Sequence, residues 1–172
     1  MKHYIAIDLG ATSGRVILAG LEGDKLEMET VHRFPTPLLN IGGKYYWNIY
    51  SIYDDIVKGL SEVGKRGLEI ESIGVDTWGV DFVCVAADGS LAALPRSYRD
   101  PYTQGIPDEF FEKMPRRELY GRTGIQIMNI NSVFQLYAQR KEGSSALEAA
   151  QNILFMPDAV SYLLTGKAVC EY

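Results

Sequence analysis

Two short segments carry residues whose types and order could do chemistry. The first is Asp8-Leu9-Gly10-Ala11-Thr12-Ser13-Gly14-Arg15. Glycines let a backbone turn sharply and bring its N–H groups close to a ligand. A nest of such N–H groups, with the Thr12 and Ser13 hydroxyls, can hold phosphate oxygens. Asp8 ends an apolar run and can hold Mg²⁺ through water, the manner in which that ion binds nucleotide phosphates. Arg15 can donate to phosphate. The competing account is a polar turn with a surface carboxylate. The ordered set of Asp, Gly, Thr, Gly and Arg between two strands favours phosphate binding.

The second segment is Asp76-Thr77-Trp78-Gly79-Val80-Asp81. Trp78 offers a flat apolar face to a sugar ring, Gly79 lets a ligand approach the backbone, and Asp81 can accept hydrogen bonds from hydroxyls. Taken alone, a tight turn with Trp78 in the core explains these residues better. The segment gains weight because Asp8 and Asp76 both end apolar strands, which a single sheet can set side by side.

Other candidates are weaker. Gly59 to Arg66 (GLSEVGKR) resembles a Walker phosphate loop until its last position, where Arg66 replaces the Ser or Thr that holds Mg²⁺; it reads as the end of a helix. His3 and His32 lie in strand patterns without a spaced partner, so no metal site is argued from them. Cys84 reads as packing. Cys84 and Cys170, far apart with no secretory signal ahead of them, read as reduced intracellular thiols. Arg96, Tyr98, Arg99 and Asp100 read as a solvated loop, and Tyr45, Tyr46 and Trp47 as cover for the core.

The positioning elements follow from periodicity and punctuation. Tyr4 to Leu9, Arg15 to Ala19 and Leu26 to Phe34 form three strands joined by short turns, an antiparallel meander. Pro35 and Pro37 end that run, and Gly42-Gly43 marks a loop. Ile49, Ile52, Tyr53, Ile56, Leu60 and Val63 fall on one helical face, with Ser51 and Asn48 as competing N-caps and Gly64 and Gly67 as the stop. Ile70 to Thr77 and Asp81 to Ala86 are further strands, and Asp88-Gly89 turns into a strand over Leu91 to Leu94. Helices are expected over Glu109 to Lys113, Ser132 to Lys141 and Asp158 to Leu164, the last capped by Gly166, with a short strand over Ile153 to Phe155. A meander with a helix packed back on it is a mixed sheet in an α/β layer architecture. The core runs over about residues 1–94, and about 95–172 is a helical elaboration of it.

Composition bounds the classes. The 172 residues are 47% hydrophobic and 23% charged with a formal net charge of -5, an ordinary globular make-up. There is no basic excess to displace phosphate counterions, which argues against nucleic-acid partners. No run approaches the roughly 20 apolar residues a membrane helix needs. A cytoplasmic location is the expectation.

At these residues the sequence resembles a known family. The opening AIDLGATSGR is similar to the first phosphate motif of the actin, hexokinase and sugar-kinase superfamily. SIGVDTWGVDFV (Ser72 to Val83) resembles the matching segment of the rhamnulokinase group within the FGGY carbohydrate kinases, as do Tyr98 to Thr103, Arg122 to Gln126 and Met156 to Lys167. The resemblance implies a ribonuclease H-like, actin-type lobe, the N-terminal one of two that flank a cleft. It implies ATP phosphates on Ala11, Thr12, Ser13, Gly14 and Arg15, Mg²⁺ associated through water with Asp8, and a ketose against Trp78, Gly79 and Asp81. The implied reaction is ATP-dependent phosphorylation of L-rhamnulose at its 1-hydroxyl. The family's general base, adenine pocket and C-terminal lobe map to no residue here. The expectation is therefore a fragment without turnover of its own, since half a cleft cannot position both substrates. A kinase for L-fuculose, a ribonuclease H-like nuclease using Asp8 and Asp76 as a two-metal pair, and a non-catalytic actin-like sugar or nucleotide sensor are the alternatives.

Overall fold

The computed structural model describes residues 1–170. The meander comprises β1 (Lys2–Leu9), β2 (Ser13–Glu22) and β3 (Lys25–Pro35), each antiparallel to the next. The strands run past the apolar stretches of the sequence because ladder pairing carries polar residues such as Lys2, Glu22 and Lys25 along with it. Alternate residues share a face of a strand. Ile5, Ile7 and Leu9 of β1, Val16 and Leu18 of β2, and Phe34 of β3 thereby form one buried surface.

Helix α1 (Ile49–Gly64) lies against that surface through Ile52, Ile56 and Val63. Of the two candidate caps, Asn48 is the one used: its side-chain oxygen accepts from the Ser51 amide at 3.2 Å, satisfying an otherwise orphan donor. The helix stops ahead of Gly67, which takes a φ of +66°. Gly59, inside the Walker-like stretch, is buried in α1, and a Cβ there would meet Val16 Cγ2 at 2.6 Å. That glycine lets the helix approach the sheet and has no part in a phosphate loop.

Helix α1 also supplies the crossover that parallel pairing demands. It leads into β6 (Ile70–Asp76), parallel to β1, and the sheet order is β3-β2-β1-β6. The architecture is the expected mixed sheet of an α/β fold.

Several elements differ from the sequence expectation. Residues around Gly42-Gly43 form a hairpin of β4 (Leu38–Ile41) and β5 (Lys44–Trp47), not an open loop. Strand β7 (Phe82–Val85) does not extend the main sheet: it pairs antiparallel with β8 (Asn152–Phe155). All four β7 residues are buried, so no alternation marked which partner it would take. Leu91 to Leu94 form no strand; a single bridge, Val85 to Leu91, is made there.

The second half contains a 3-10 turn (Pro101–Thr103), α2 (Ile106–Phe111), α3 (Arg116–Thr123), α4 (Ser132–Lys141) and α5 (Ser145–Glu148). Ile106, Leu119, Phe134 and Ala138 give these helices a core of their own, with Phe110 and Phe111 edge-on to Phe134. Strand β8 and α6 (Met156–Thr165) then return to the first half, where Val160 of α6 joins the core under the main sheet. Gly166 caps α6 with a φ of +71°. The boundary near residue 94 is thus crossed by the last two elements. No helix among the described residues is long and apolar enough to cross a membrane.

Candidate active site

Parallel pairing of β1 and β6 sets Asp8 directly beside Asp76 as register partners. Side chains in register on neighbouring strands point to the same face of the sheet, so two carboxylates stand together at one strand end. Across the other ladder, Asp8 is the register partner of Arg15 and forms an ion pair with it. Asp76 is exposed, and its side-chain carboxylate accepts no hydrogen bond from a described residue.

The turn between β1 and β2 is closed by Gly10 N–H donating to the Ser13 carbonyl at 2.9 Å. Thr36, just past β3, braces it twice: its N–H donates to the Thr12 carbonyl at 3.3 Å and its hydroxyl to the Gly10 carbonyl at 2.9 Å. The carbonyls are thereby engaged inward. The N–H groups of Ala11 and Thr12 find no acceptor among the described residues, and Thr12 is exposed. Such a turn presents donors outward, the disposition an anion requires. The Ser13 hydroxyl accepts from Arg33 at 3.5 Å. Gly14 has a separate role: a Cβ there would lie 2.5 Å from the Phe34 ring and 2.8 Å from Leu9. The core dictates that glycine whatever the loop binds.

Trp78 is half-buried and lies against Trp47, with ring centroids 4.3 Å apart and planes tilted by 39°. One face of its indole is therefore covered by protein. Gly79 is exposed, a Cβ built on it meets nothing within 4 Å, and it borders a cavity of about 530 Å³ lined also by Val80, Ile125, Ile127, Ser132 and Phe155.

Asp81 lies beneath this surface, 0% exposed. Its Oδ2 accepts from Trp47 Nε1 at 2.5 Å, Trp78 Nε1 at 3.1 Å and the Tyr98 amide at 3.1 Å, and its Oδ1 accepts from Gln135 Nε2 at 2.8 Å. Burial pushes its carboxyl pKa up, against the opposing pull of these donors. A ligand hydroxyl could reach Asp81 only by opening this enclosure.

The stretch Arg96 to Asp100 is not a solvated loop. Asp100 is 3% exposed, accepts from the Tyr45 amide at 2.8 Å and pairs with Arg96 at 3.0 Å. Arg96 also reaches Glu142 at 2.8 Å and lies over the Tyr102 ring, 3.8 Å from its centroid. Charges this deep are kept by their partners, and two of these, Tyr45 of β5 and Glu142 at the C-cap of α4, are too distant in sequence to be read from the loop.

Ser132 and Gln135 of α4 were not singled out by sequence. Ser132 Oγ donates to the Val80 carbonyl at 2.7 Å, and Gln135 Nε2 lies 3.2 Å from the same carbonyl. A signal existed for Gln135: it stands beside Phe134 and three residues before Ala138, a polar residue on the buried face of its helix.

For Mg²⁺, the donors at this end of the sheet are hard carboxylate oxygens of Asp8 and Asp76. They suit an ion held by one or two carboxylates and its own waters. Among the described residues no cluster of three or more His, Cys, Asp or Glu side chains converges to hold a metal outright.

The chain is similar to known proteins along its whole length. It is 54% identical over 171 residues to a rhamnulokinase of Bacteroides thetaiotaomicron, covering 99% of this chain and 35% of that protein. It is 39% identical over 168 residues to a rhamnulokinase of Oceanobacillus iheyensis, covering 98% of this chain and 36% of the relative. The chain thus spans about a third of the length of the curated relatives it matches. In structure it superposes on a ligand-bound xylulose kinase from Lactobacillus acidophilus with a TM-score of 0.81 at 16% identity, covering 98% of this chain and 34% of that one. A xylulose kinase from Rhodospirillum rubrum gives a TM-score of 0.81 at 18% identity, over 99% and 36%. Both are sugar kinases of the actin- and hexokinase-like fold. Residues 3–172 match the model of the N-terminal domain of the FGGY family of carbohydrate kinases, and the chain belongs to that family.

Proposed function

We propose that this chain is the N-terminal lobe of an ATP-dependent ketose kinase that phosphorylates L-rhamnulose at its 1-hydroxyl. The observation that carries the reading is the register of Asp8 with Asp76. It brings the donor-rich turn and the loop from Thr77 to Asp81 to one end of one sheet. A phosphate bound at the first then faces an acceptor bound at the second. Identity to rhamnulokinases over the whole chain supports the choice of ketose.

In this reading the ATP phosphates rest on Ala11, Thr12, Ser13, Gly14 and Arg15, with the Ala11 and Thr12 N–H groups as donors. Arg15 leaves its pairing with Asp8 to meet phosphate oxygens. Asp8 holds Mg²⁺ through water, with Asp76 beside it; when bound, the ion supplies positive charge to the phosphate oxygens. Trp78 and Gly79 meet the ketose, and Asp81 fixes their position from below. The protein works in the cytoplasm, and the general base is supplied by a C-terminal lobe. Phosphoryl transfer depends on positioning and charge stabilisation of both substrates at once, so this lobe alone turns nothing over.

A coupled ADP-release assay tests this. The full-length protein should release ADP with L-rhamnulose and ATP, and residues 1–172 alone should not. ADP release with L-fuculose but not with L-rhamnulose would overturn the choice of acceptor. Binding of both ligands without ADP release would overturn the kinase reading.

A further inference from the structure

We infer that Gln135 is a positioning residue for the acceptor site, a latch by which helix α4 holds the loop from Trp78 to Asp81 in place without touching the acceptor. The inference rests on the functional reading above.

Gln135 is 0% exposed. Its Nε2 lies 2.8 Å from Asp81 Oδ1, 2.8 Å from the Ile130 carbonyl and 3.2 Å from the Val80 carbonyl. Its Oε1 accepts from the Tyr102 hydroxyl at 2.6 Å. Burial pushes the Tyr102 pKa up, which keeps that hydroxyl protonated as a donor. One amide thus joins four segments: the 3-10 turn, the segment leading into α4, α4 itself and the acceptor loop.

The loop it holds is fixed from several sides: the Asp81 carbonyl accepts from the Met156 amide at 3.1 Å and Trp78 packs against the core, while α4 holds its middle. Trp78 to Asp81 follows the end of β6 and belongs to no strand or helix. Its Val80 carbonyl is held by Ser132 and Gln135, both from α4. Its Asp81 carboxylate is held on one oxygen by Gln135 and on the other by both indoles and the Tyr98 amide. Gly79, the residue proposed to meet the acceptor, lies between the two indole-linked ends of this lattice. A side chain must carry donors and an acceptor at once to satisfy Asp81, Val80 and Tyr102 together, and an amide has both. A carboxylate would place like charge against Asp81, and an apolar side chain would leave buried partners unpaired. Displacing a substrate-positioning group by about 1 Å can cost on the order of 100-fold, so a loop released by α4 should be felt in acceptor binding.

The test uses the full-length protein with Gln135→Met, which keeps the side-chain length and removes its hydrogen bonds, and with Ser132→Ala, which removes one bond to the Val80 carbonyl. Gln135→Met is expected to raise the KM for ketose about tenfold or more, and Ser132→Ala to raise it about threefold. The KM for ATP should stay within about twofold in both, because the phosphate turn is braced by Thr36 and not by α4. Tryptophan emission should shift, since Trp47 and Trp78 are the two tryptophans of these 172 residues and both donate to Asp81. If Gln135→Met unfolds the protein, Ser132→Ala carries the test. Equal rises in both KM values, or an unchanged ketose KM in the folded variants, would overturn the latch while leaving the kinase reading intact. No phosphorylation of any ketose by the wild type would overturn the kinase reading, and the latch with it.

Discussion

The indoles of Trp47 and Trp78 lie 4.3 Å apart by ring centroid and donate to the same oxygen, Oδ2 of Asp81. One comes from the second hairpin and the other from the loop after β6, 31 residues later by their numbers, so a single buried carboxylate registers the hairpin against the loop.

Asp81→Asn keeps the shape of that carboxylate but turns one acceptor into a donor facing other donors. Leaving such buried groups unpaired costs about 1–3 kcal/mol each. The variant should lose about 2–3 kcal/mol of stability, read from urea unfolding followed by tryptophan emission. A midpoint equal to that of the wild type would show that the indoles do not depend on Asp81.

The same residue makes a prediction in pH. Burial holds the Asp81 carboxyl above its ordinary range, so the folded protein keeps that proton to higher pH than the unfolded chain. The resulting stabilisation is complete below the unfolded value of about 4 and is lost as pH rises through the raised folded value. The stability advantage of wild type over Asp81→Asn should therefore shrink as pH is raised from about 4 to 7, measured as the difference in urea midpoints. A difference that grows over that range would oppose the assignment.

Asp8→Asn separates chemistry from structure. Its ion pair with Arg15 is solvent-exposed, and exposed pairs contribute about 0–1 kcal/mol. Thermal stability should barely move. In the full-length protein kcat should fall about 100-fold or more, the scale of losing one electrostatic stabiliser at a reacting phosphate. Retained kcat would remove Asp8 from the proposed Mg²⁺ site.

Glycines 14 and 79 should behave oppositely. A Cβ at Gly14 meets the Phe34 ring and Leu9, whereas one at Gly79 meets nothing. Gly14→Ala should destabilise by about 1–3 kcal/mol through overpacking. Gly79→Val should leave the melting temperature within about 2 °C of wild type and raise the ketose KM about tenfold or more. An unchanged KM would show that the acceptor does not approach Gly79.

Legibility in the sequence follows how local each cause is. The meander, α1 and α4 come from period and punctuation within a few residues, and α4 spans Ser132–Lys141 in both readings. The β4–β5 hairpin carried a readable signal, two short runs separated by Gly42-Gly43, that two nearby prolines masked. The partner of β7 and the burial of Asp100 had no local signal, because both depend on residues far along the chain. At the site, Asp8, Asp76 and the turn between β1 and β2 could be named from type and order. That Gly14 serves the core, that Trp78 is covered on one face and that Asp81 is enclosed depend on Phe34, Trp47 and Gln135, which only the folded chain brings near.

The pairing of β7 with β8 bears on how the chain is made. Phe82 waits for Phe155, roughly 70 residues downstream, or about 4–14 s of synthesis at ordinary ribosomal speed. The strands of the meander have their ladder partners by then, while a wholly apolar strand stands without one. The emerging polypeptide has an interval in which β7 is an adhesive edge, and the arrival of residues 152–155 ends it.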